Sequence, residues 1–577
     1  MTYRTSTAIA ATGLLAAAAL CSHPARACGG FFCSQSQPVN QAAERIIFAD
    51  NGNGTLTAVI QILYQGPSEN FSWLLPIGSV PEGDELGVAS DIAFTRLQAA
   101  TNPQYNLNTV IEGECRQARG DSIVPASGGT AAPGALPGDS AAEDPGSGVN
   151  VEASGVVGAF EWTVISVDPA VADPALPATE WLTENGYDVP PGSAELIGPY
   201  LDDDMYLLAL RLTKGSDTGS IRPIRLTYAA SAPMIPIKLT AVAANQDMGV
   251  MTWALSSARA VPFNYNALEL NEARINWFNA SSNYNDVVTL AADDAGGQGF
   301  VTEFAGPSSL LANVVWPELE EEGWQSLRGA TYSGFSDIFQ ALYARYQDYS
   351  GFWDAVRRAV TIPEALSFDD FRACPTCYSN QIEFSPTQLF DAIEADVIEP
   401  VRSVQALIDG APYATRLYST LSAAEMTRDP VFVFNPDLPG VDNIHRADRV
   451  IECDSDLFVS EAPWRIDFPQ GGSIRGTPNQ VGQWPDAVNQ QPPNFRVLTL
   501  AASGEGAVLD DNAEAIGAML ADYNAGVPTP AGSADSGGFC AVTAPGGTGS
   551  RRAVPAWLAL ALGVVLQRAR ASRRRAG

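Results

Sequence analysis

An α+β fold is expected, with a β-rich N-terminal domain followed by a mixed helical and short-strand C-terminal region. Three observations predict it. Apolar residues alternate with period two in run after run before residue 310, the mark of half-buried strands. Beyond residue 311 they recur at helical spacing, in 336–346, 352–360, 387–408 and 414–426. The 577-residue length exceeds what one core usually holds, so two or three domains are expected.

Residues 1–27 have the parts of a signal peptide: Arg4, an apolar stretch from Ala8 to Leu20, and the cleavage site Ala25-Arg26-Ala27. Cleavage there makes Cys28 the mature N-terminus. Leu20 before Cys21 and Arg26 near Cys28 suit a lipid-attachment motif poorly. Residues 28–116 form the first part of the β-rich domain. A hairpin turns through Asp50-Asn51-Gly52-Asn53-Gly54, Phe71–Pro76 reads as a strand stopped by proline, and Asp91–Ala100 reads as a helix.

Residues 117–152 are a flexible low-complexity insertion rich in Gly, Ala, Pro, Ser and Asp. Its Arg119-Gly120-Asp121 reads as a chance tripeptide. Residues 153–310 complete the β-rich domain. Strands are expected at Phe160–Val167, Tyr206–Leu212, Ile224–Tyr228, Ile235–Ala243 and Val250–Leu255. A helix at Thr179–Tyr187 is closed by Asn185-Gly186. Residues 311–522 are the mixed α/β region and 523–550 a flexible tether. Residues 551–577 are a C-terminal apolar helix with an Arg-rich tail.

The formal net charge is −32, and the two ends hold nine arginines and no acid, so the body between them is more acidic still. Such a body repels nucleic acid and anionic lipid headgroups. The histidines are His23, in the signal, and His445. One mature imidazole excludes a multi-histidine metal centre, and any Ser-His-Asp scheme must run through His445. On a helix, Asp448 would lie one turn from His445 and orient its ring. No G-x-S-x-G, P-loop or dinucleotide-binding signature accompanies it, so a structural or surface histidine is the reading.

Six mature cysteines, Cys28, Cys33, Cys115, Cys374, Cys377 and Cys453, suggest three disulfides in an exported chain. Cys374-Pro375-Thr376-Cys377 reads as a structural bridge, with thiol–disulfide exchange or half of a metal site as alternatives. Asp202, Asp203 and Asp204 are the metal candidates, for calcium, although adjacent acids lack the alternating ligand spacing of a calcium loop. A solvated acidic turn is the preferred reading, as it is for Glu320-Glu321-Glu322 and Asp293-Asp294. The tryptophans read as core, and no cofactor is implied.

Cys540, a spacer, the apolar run Ala553–Leu566 and the terminal arginines resemble the MYXO-CTERM sorting tag. Fourteen helical residues span about 21 Å, short of the roughly 30 Å hydrocarbon core. The resemblance implies a sorting protease as partner and Cys540 as the attachment point, with a plain membrane helix as alternative. Residues 28 to about 310 resemble the bacterial domain-of-unknown-function family 2330. The pieces that match are Cys28-Gly29-Gly30-Phe31, Gln41-Ala42-Ala43-Glu44-Arg45-Ile46, Trp181 to Tyr187, Ile235-Pro236-Ile237 and Phe300-Val301-Thr302-Glu303-Phe304. That resemblance implies an exported protein and carries no catalytic residue.

These readings converge on an exported, cell-surface-retained protein, non-enzymatic and engaged in binding or structure. Its partners are the export machinery, the sorting protease and the membrane, reached through the C-terminal helix or a lipid on Cys540; nucleic acid is not among them. The alternative is an envelope enzyme, a thiol–disulfide exchanger at Cys374/Cys377 or a carboxylate-based glycan hydrolase.

Overall fold

Chain order explains how distant residues come to share one sheet. A computed structural model describes residues 40–65, 71–116 and 149–527, apart from 159, 169, 188, 190, 191, 213–217, 221 and 243. The expected signal, Cys28, Cys33, most of the insertion, the end of the tether, Cys540 and the C-terminal apolar segment lie outside the described residues. Among the described residues no helix is long and apolar enough to cross a membrane.

β1 (Asn40–Asp50) and β2 (Thr55–Gln65) form the expected hairpin. Gly52 and Gly54 take positive φ in its turn, and Asn51 Nδ2 donates to Thr55 Oγ1 at 2.9 Å. β3 (Phe71–Ile77) carries Pro76 without disruption because it is an edge strand. β4 (Leu86–Val88), the helix Asp91–Thr101 and β5 (Gln104–Glu112) follow.

β6 (Val149–Val157) and β7 (Phe160–Val167) precede two helices, Ala175–Glu184 and Ser193–Asp202. The first closes as expected: Gly186 takes φ of 79° and the Tyr187 N–H donates back to the Leu182 carbonyl at 2.8 Å. Next come β8 (Tyr206–Leu212), β9 (Thr218–Ser220), β10 (Ile224–Ala229), β11 (Ala244–Ser256), β12 (Arg259–Pro262) and β13 (Asn266–Leu270). The expected strand at 235–243 is instead a short helix, Ile237–Thr240. Pro236 removes a ladder donor there, and Asp429 Oδ1 accepts from the Lys238 N–H at 3.0 Å.

The helix Tyr284–Asp294 leads into β14 (Gly299–Pro307). A helical group then fills 318–410, with β15 (Val360–Thr361) and β16 (Glu383–Phe384) as a two-stranded clip. Helices Phe335–Tyr346 and Phe352–Ala359 match expectation. The 387–408 helix is realised as Pro386–Ile393 and Glu399–Gly410, joined by the π-turn Glu394–Ile398.

The helix expected at 414–426 is the main error: β17 (Tyr413–Leu421) is a strand buried on both faces. Burial on both sides hides the period-two signal, so its apolar residues mimic helical spacing. β18 (Phe432–Asn435), β19 (Ile444–Glu452), β20 (Trp464–Asp467), β21 (Ser473–Gly476), β22 (Asn494–Thr499), β23 (Ala507–Asp511) and the helix Ala513–Ala525 complete the chain.

The fold is α+β. Its spine is an eleven-stranded mixed sheet in the order β23-β22-β13-β14-β17-β11-β1-β2-β10-β4, with β9 paired to β2. Strands from both sides of residue 310 alternate within it. One face packs on a four-stranded sheet, β3-β8-β7-β6, through Ile46, Phe48, Trp73, Leu75 and Leu208. The other packs on the helical group through Ile47, Trp253, Trp324 and Phe352. A third core, around Trp277, Trp464 and Ile466, joins the spine to the sheet β21-β20-β19-β5.

In that third sheet β5 runs parallel to β19, from Gln104↔Ile444 to Glu112↔Glu452. Cys115 and Cys453, 338 positions apart in sequence, are bonded just past its far end, with Cα atoms 4.8 Å apart. Replacing both cysteines by serine should lower the midpoint of thermal unfolding, at a cost of about 2–5 kcal/mol. Removing Cys374–Cys377 should cost less, because that bridge closes a far shorter loop. Equal midpoints for the two variants would refute this ranking.

Candidate functional site

At the other end of the β5–β19 pair, the register sets Tyr105 beside His445. Their rings stack with centroids 4.4 Å apart and planes within 9°. The entry into both strands is fixed by Asn443, whose Nδ2 donates to the carbonyls of Ala100 at 3.3 Å and Asn102 at 2.9 Å. The Gln104 N–H donates to the Asn443 carbonyl at 2.7 Å. His445 therefore sits on a strand, where Asp448 cannot share its face. Asp448 instead accepts from Asn108 at 3.3 Å.

The partner of His445 is Glu272, 173 positions away: Nδ1 and Oε1 are 2.7 Å apart. Glu272 follows β13 on a short turn built by Asn271. The Asn271 side chain accepts from the Ala273 N–H at 3.0 Å and donates to Gln491 Oε1 at 3.1 Å and the Pro492 carbonyl at 2.9 Å. The Glu272 N–H donates to Gln470 Oε1 at 3.0 Å, and its carbonyl accepts from Trp277 Nε1 at 2.9 Å. The backbone is thus held on several sides, which aims the carboxylate at His445.

Behind this pair lies a buried ion pair, Glu303 on β14 and Arg416 on β17, at 2.6 Å. Both side chains are almost wholly buried. Tyr284, at the start of its helix, donates its hydroxyl to Glu303 Oε1 at 2.6 Å. Arg416 also donates to the Gln98 carbonyl at 3.1 Å and Thr101 Oγ1 at 3.2 Å, and its guanidinium lies 5.5 Å from the Trp253 ring centroid. Burial pushes the Glu303 carboxyl above its ordinary range, against the pull of Arg416 and of the Tyr284 hydroxyl. Burial, together with nearby Glu272 and Glu303, raises the Tyr105 phenol well above its usual value. Tyr284 rises likewise, from burial and then Glu303.

These groups line or underlie a cavity of about 510 Å³ between the spine and the third sheet. Its wall includes Tyr105, Glu272, Tyr284, Glu303 and His445, with Leu268, Leu270, Val301, Leu498 and Leu500 as apolar surface. Thr302 is the one aliphatic hydroxyl lining it, and Arg259 Nη2 donates to that oxygen at 3.3 Å. A carboxylate–imidazole pair is present, and no serine or cysteine is among the residues that line the cavity.

Sequence reasoning singled out His445 but paired it with Asp448. Glu303 stood within a quoted motif without a role, and Tyr105, Glu272, Tyr284 and Arg416 went unnoticed. Arg416 was hidden by the false helix. The others carry no local pattern, because the elements that join them are far apart in sequence.

Of the disulfide candidates, Cys115 is bonded to Cys453 and Cys374 to Cys377. Cys374 caps the C-terminal end of the helix Phe368–Ala373, its N–H donating to the Phe371 carbonyl at 3.1 Å. Cys374 also caps the N-terminal end of the 3-10 turn Pro375–Tyr378, so the two opposed dipoles leave its thiolate neither favoured nor disfavoured. Asp202, Asp203 and Asp204 lie at the exposed C-terminal turn of the helix Ser193–Asp202, Asp204 with φ of 57°. Among the described residues no group of three or more His, Cys, Asp or Glu could hold a metal.

The acidic run 320–322 is not simply solvated. Glu320 pairs with Arg96 at 2.5 Å and accepts from Tyr349 at 2.7 Å, and Glu321 pairs with Arg402 at 2.9 Å.

Fold and pocket together define an α+β protein with a polar ligand-sized cavity between two sheets. The chain belongs to the bacterial family described as "Uncharacterized protein conserved in bacteria (DUF2330)", matched over residues 22–320. No curated protein and no solved structure matches the chain.

Arg416→Met alone should cost about 3–5 kcal/mol in urea unfolding, because it leaves Glu303 buried without its cation. Adding Glu303→Leu should recover most of that loss. A double variant less stable than the single one would refute the account.

Proposed function

We propose that this is an exported, surface-retained binding protein of the bacterial envelope that holds a small ligand at the His445 pocket without turning it over. The observation that carries the reading is the Cys115–Cys453 bridge. It ties two strands from opposite parts of the chain, and those strands present Tyr105 and His445 at the pocket. A bridge of this kind persists in an oxidising compartment, which favours export. The signal at residues 1–27 and the tag that starts at Cys540 point the same way.

On this reading the partners are the export machinery, a sorting protease and the membrane, reached through a lipid on Cys540 or the C-terminal apolar segment. The acidity of the body keeps nucleic acid away.

Blocking free thiols on intact bacteria before lysis, then mapping peptides without reductant, tests the location. Cys115, Cys374, Cys377 and Cys453 should escape alkylation, and protease added to whole cells should degrade the protein. Cytosolic chains with all four thiols free would overturn the proposal.

A further inference from the structure

We infer that the His445 pocket takes a small organic cation, a primary amine or guanidinium on a short aliphatic stem. This rests on the binding reading above and names the ligand class. The hydrogen-bonding capacity of the wall comes first. With Glu272 Oε1 2.7 Å from Nδ1, the neutral His445 ring carries its proton on Nδ1 and leaves Nε2 as an acceptor. The second oxygen of Glu272, Oε2, is buried without a hydrogen-bond partner in a residue only 6% exposed. Such an oxygen calls for a donor from within the cavity.

Most of the donors already present are engaged, although Arg259 Nε is buried without a partner. Tyr284 donates to Glu303, while Arg259 donates to the Pro439 carbonyl at 3.0 Å and to Thr302. At Glu272 the wall therefore offers an acceptor, and a ligand reaching it must bring a donor.

Charge agrees. Glu269, Glu272, Glu303, Asp437 and Glu505 line the cavity against Arg259 and His445; Arg416 offsets Glu303 and Arg496 lies 3.7 Å from Glu269, which leaves the acids in excess. Glu269, Asp437 and Glu505 are exposed at the rim, where their field draws cations inward. The leucines and Val301 that line the cavity accept an alkyl stem. A neutral sugar would leave the acidic excess uncompensated. With no grouping fit for a metal among the described residues, the cation expected here is organic.

Titration calorimetry of the full chain with disulfides intact, using agmatine and cadaverine against pentanediol and glucose, tests the inference. At least one cation should bind saturably, weakened roughly tenfold or more by Glu272→Gln. The exposed pair Asp437→Asn/Glu505→Gln should weaken it about two- to fivefold, more at low salt, and reports even if Glu272→Gln misfolds. Equal binding of pentanediol or glucose, or unchanged affinity in both variants, overturns the cation assignment and leaves the binding reading standing. Absence of saturable binding by either cation up to about 10 mM also overturns it. Consumption of agmatine seen by mass spectrometry would support the ligand class and sink the non-enzymatic reading.

Discussion

The Glu303–Arg416 ion pair is the contact on which the site depends. It sits where β14 and β17 lie side by side in the spine, under the helix Asp91–Thr101 and beside the start of the helix Tyr284–Asp294. Two charges this deep are tolerated because they face each other at 2.6 Å and their other atoms find partners: Glu303 Oε1 accepts from Tyr284, and Arg416 Nη1 donates to a carbonyl and a hydroxyl, with the guanidinium near the Trp253 ring. The same contacts fix Tyr284 in the cavity wall. Thr101 ties Arg416 to Trp253, since its hydroxyl oxygen also accepts from Trp253 Nε1 at 3.1 Å.

A second constraint acts along β5 and β19. Parallel strands need a long connection, and here it is most of the chain. Asn443 fixes the register at one end and the disulfide closes the other. With both ends fixed, Tyr105 and His445 are held ring on ring where the cavity opens. Glu272 reaches them from β13 in the spine, so the pocket straddles two sheets and exists only once both have docked.

Local pattern was legible where one face of an element meets solvent or where a turn residue has one role. The Gly52/Gly54 hairpin, the Gly186 helix stop and the helices at 335–346 and 352–359 all followed from sequence. It failed at Tyr413–Leu421, where both faces are buried, and at 235–243, where Pro236 and Asp429 redirect the backbone. Acid runs also misled: 320–322 looks like solvated charge until Arg96 and Arg402 arrive from elsewhere.

By itself the sequence determined the α+β class, the family, the acidic charge and the scarcity of imidazoles, because these follow from composition and short-range pattern. Only the tertiary structure decided that Tyr105, Glu272, Tyr284, Glu303, Arg416 and His445 meet. Their side chains come from separate strands, turns and helices, and strand register and sheet docking, which no local spacing encodes, bring them together.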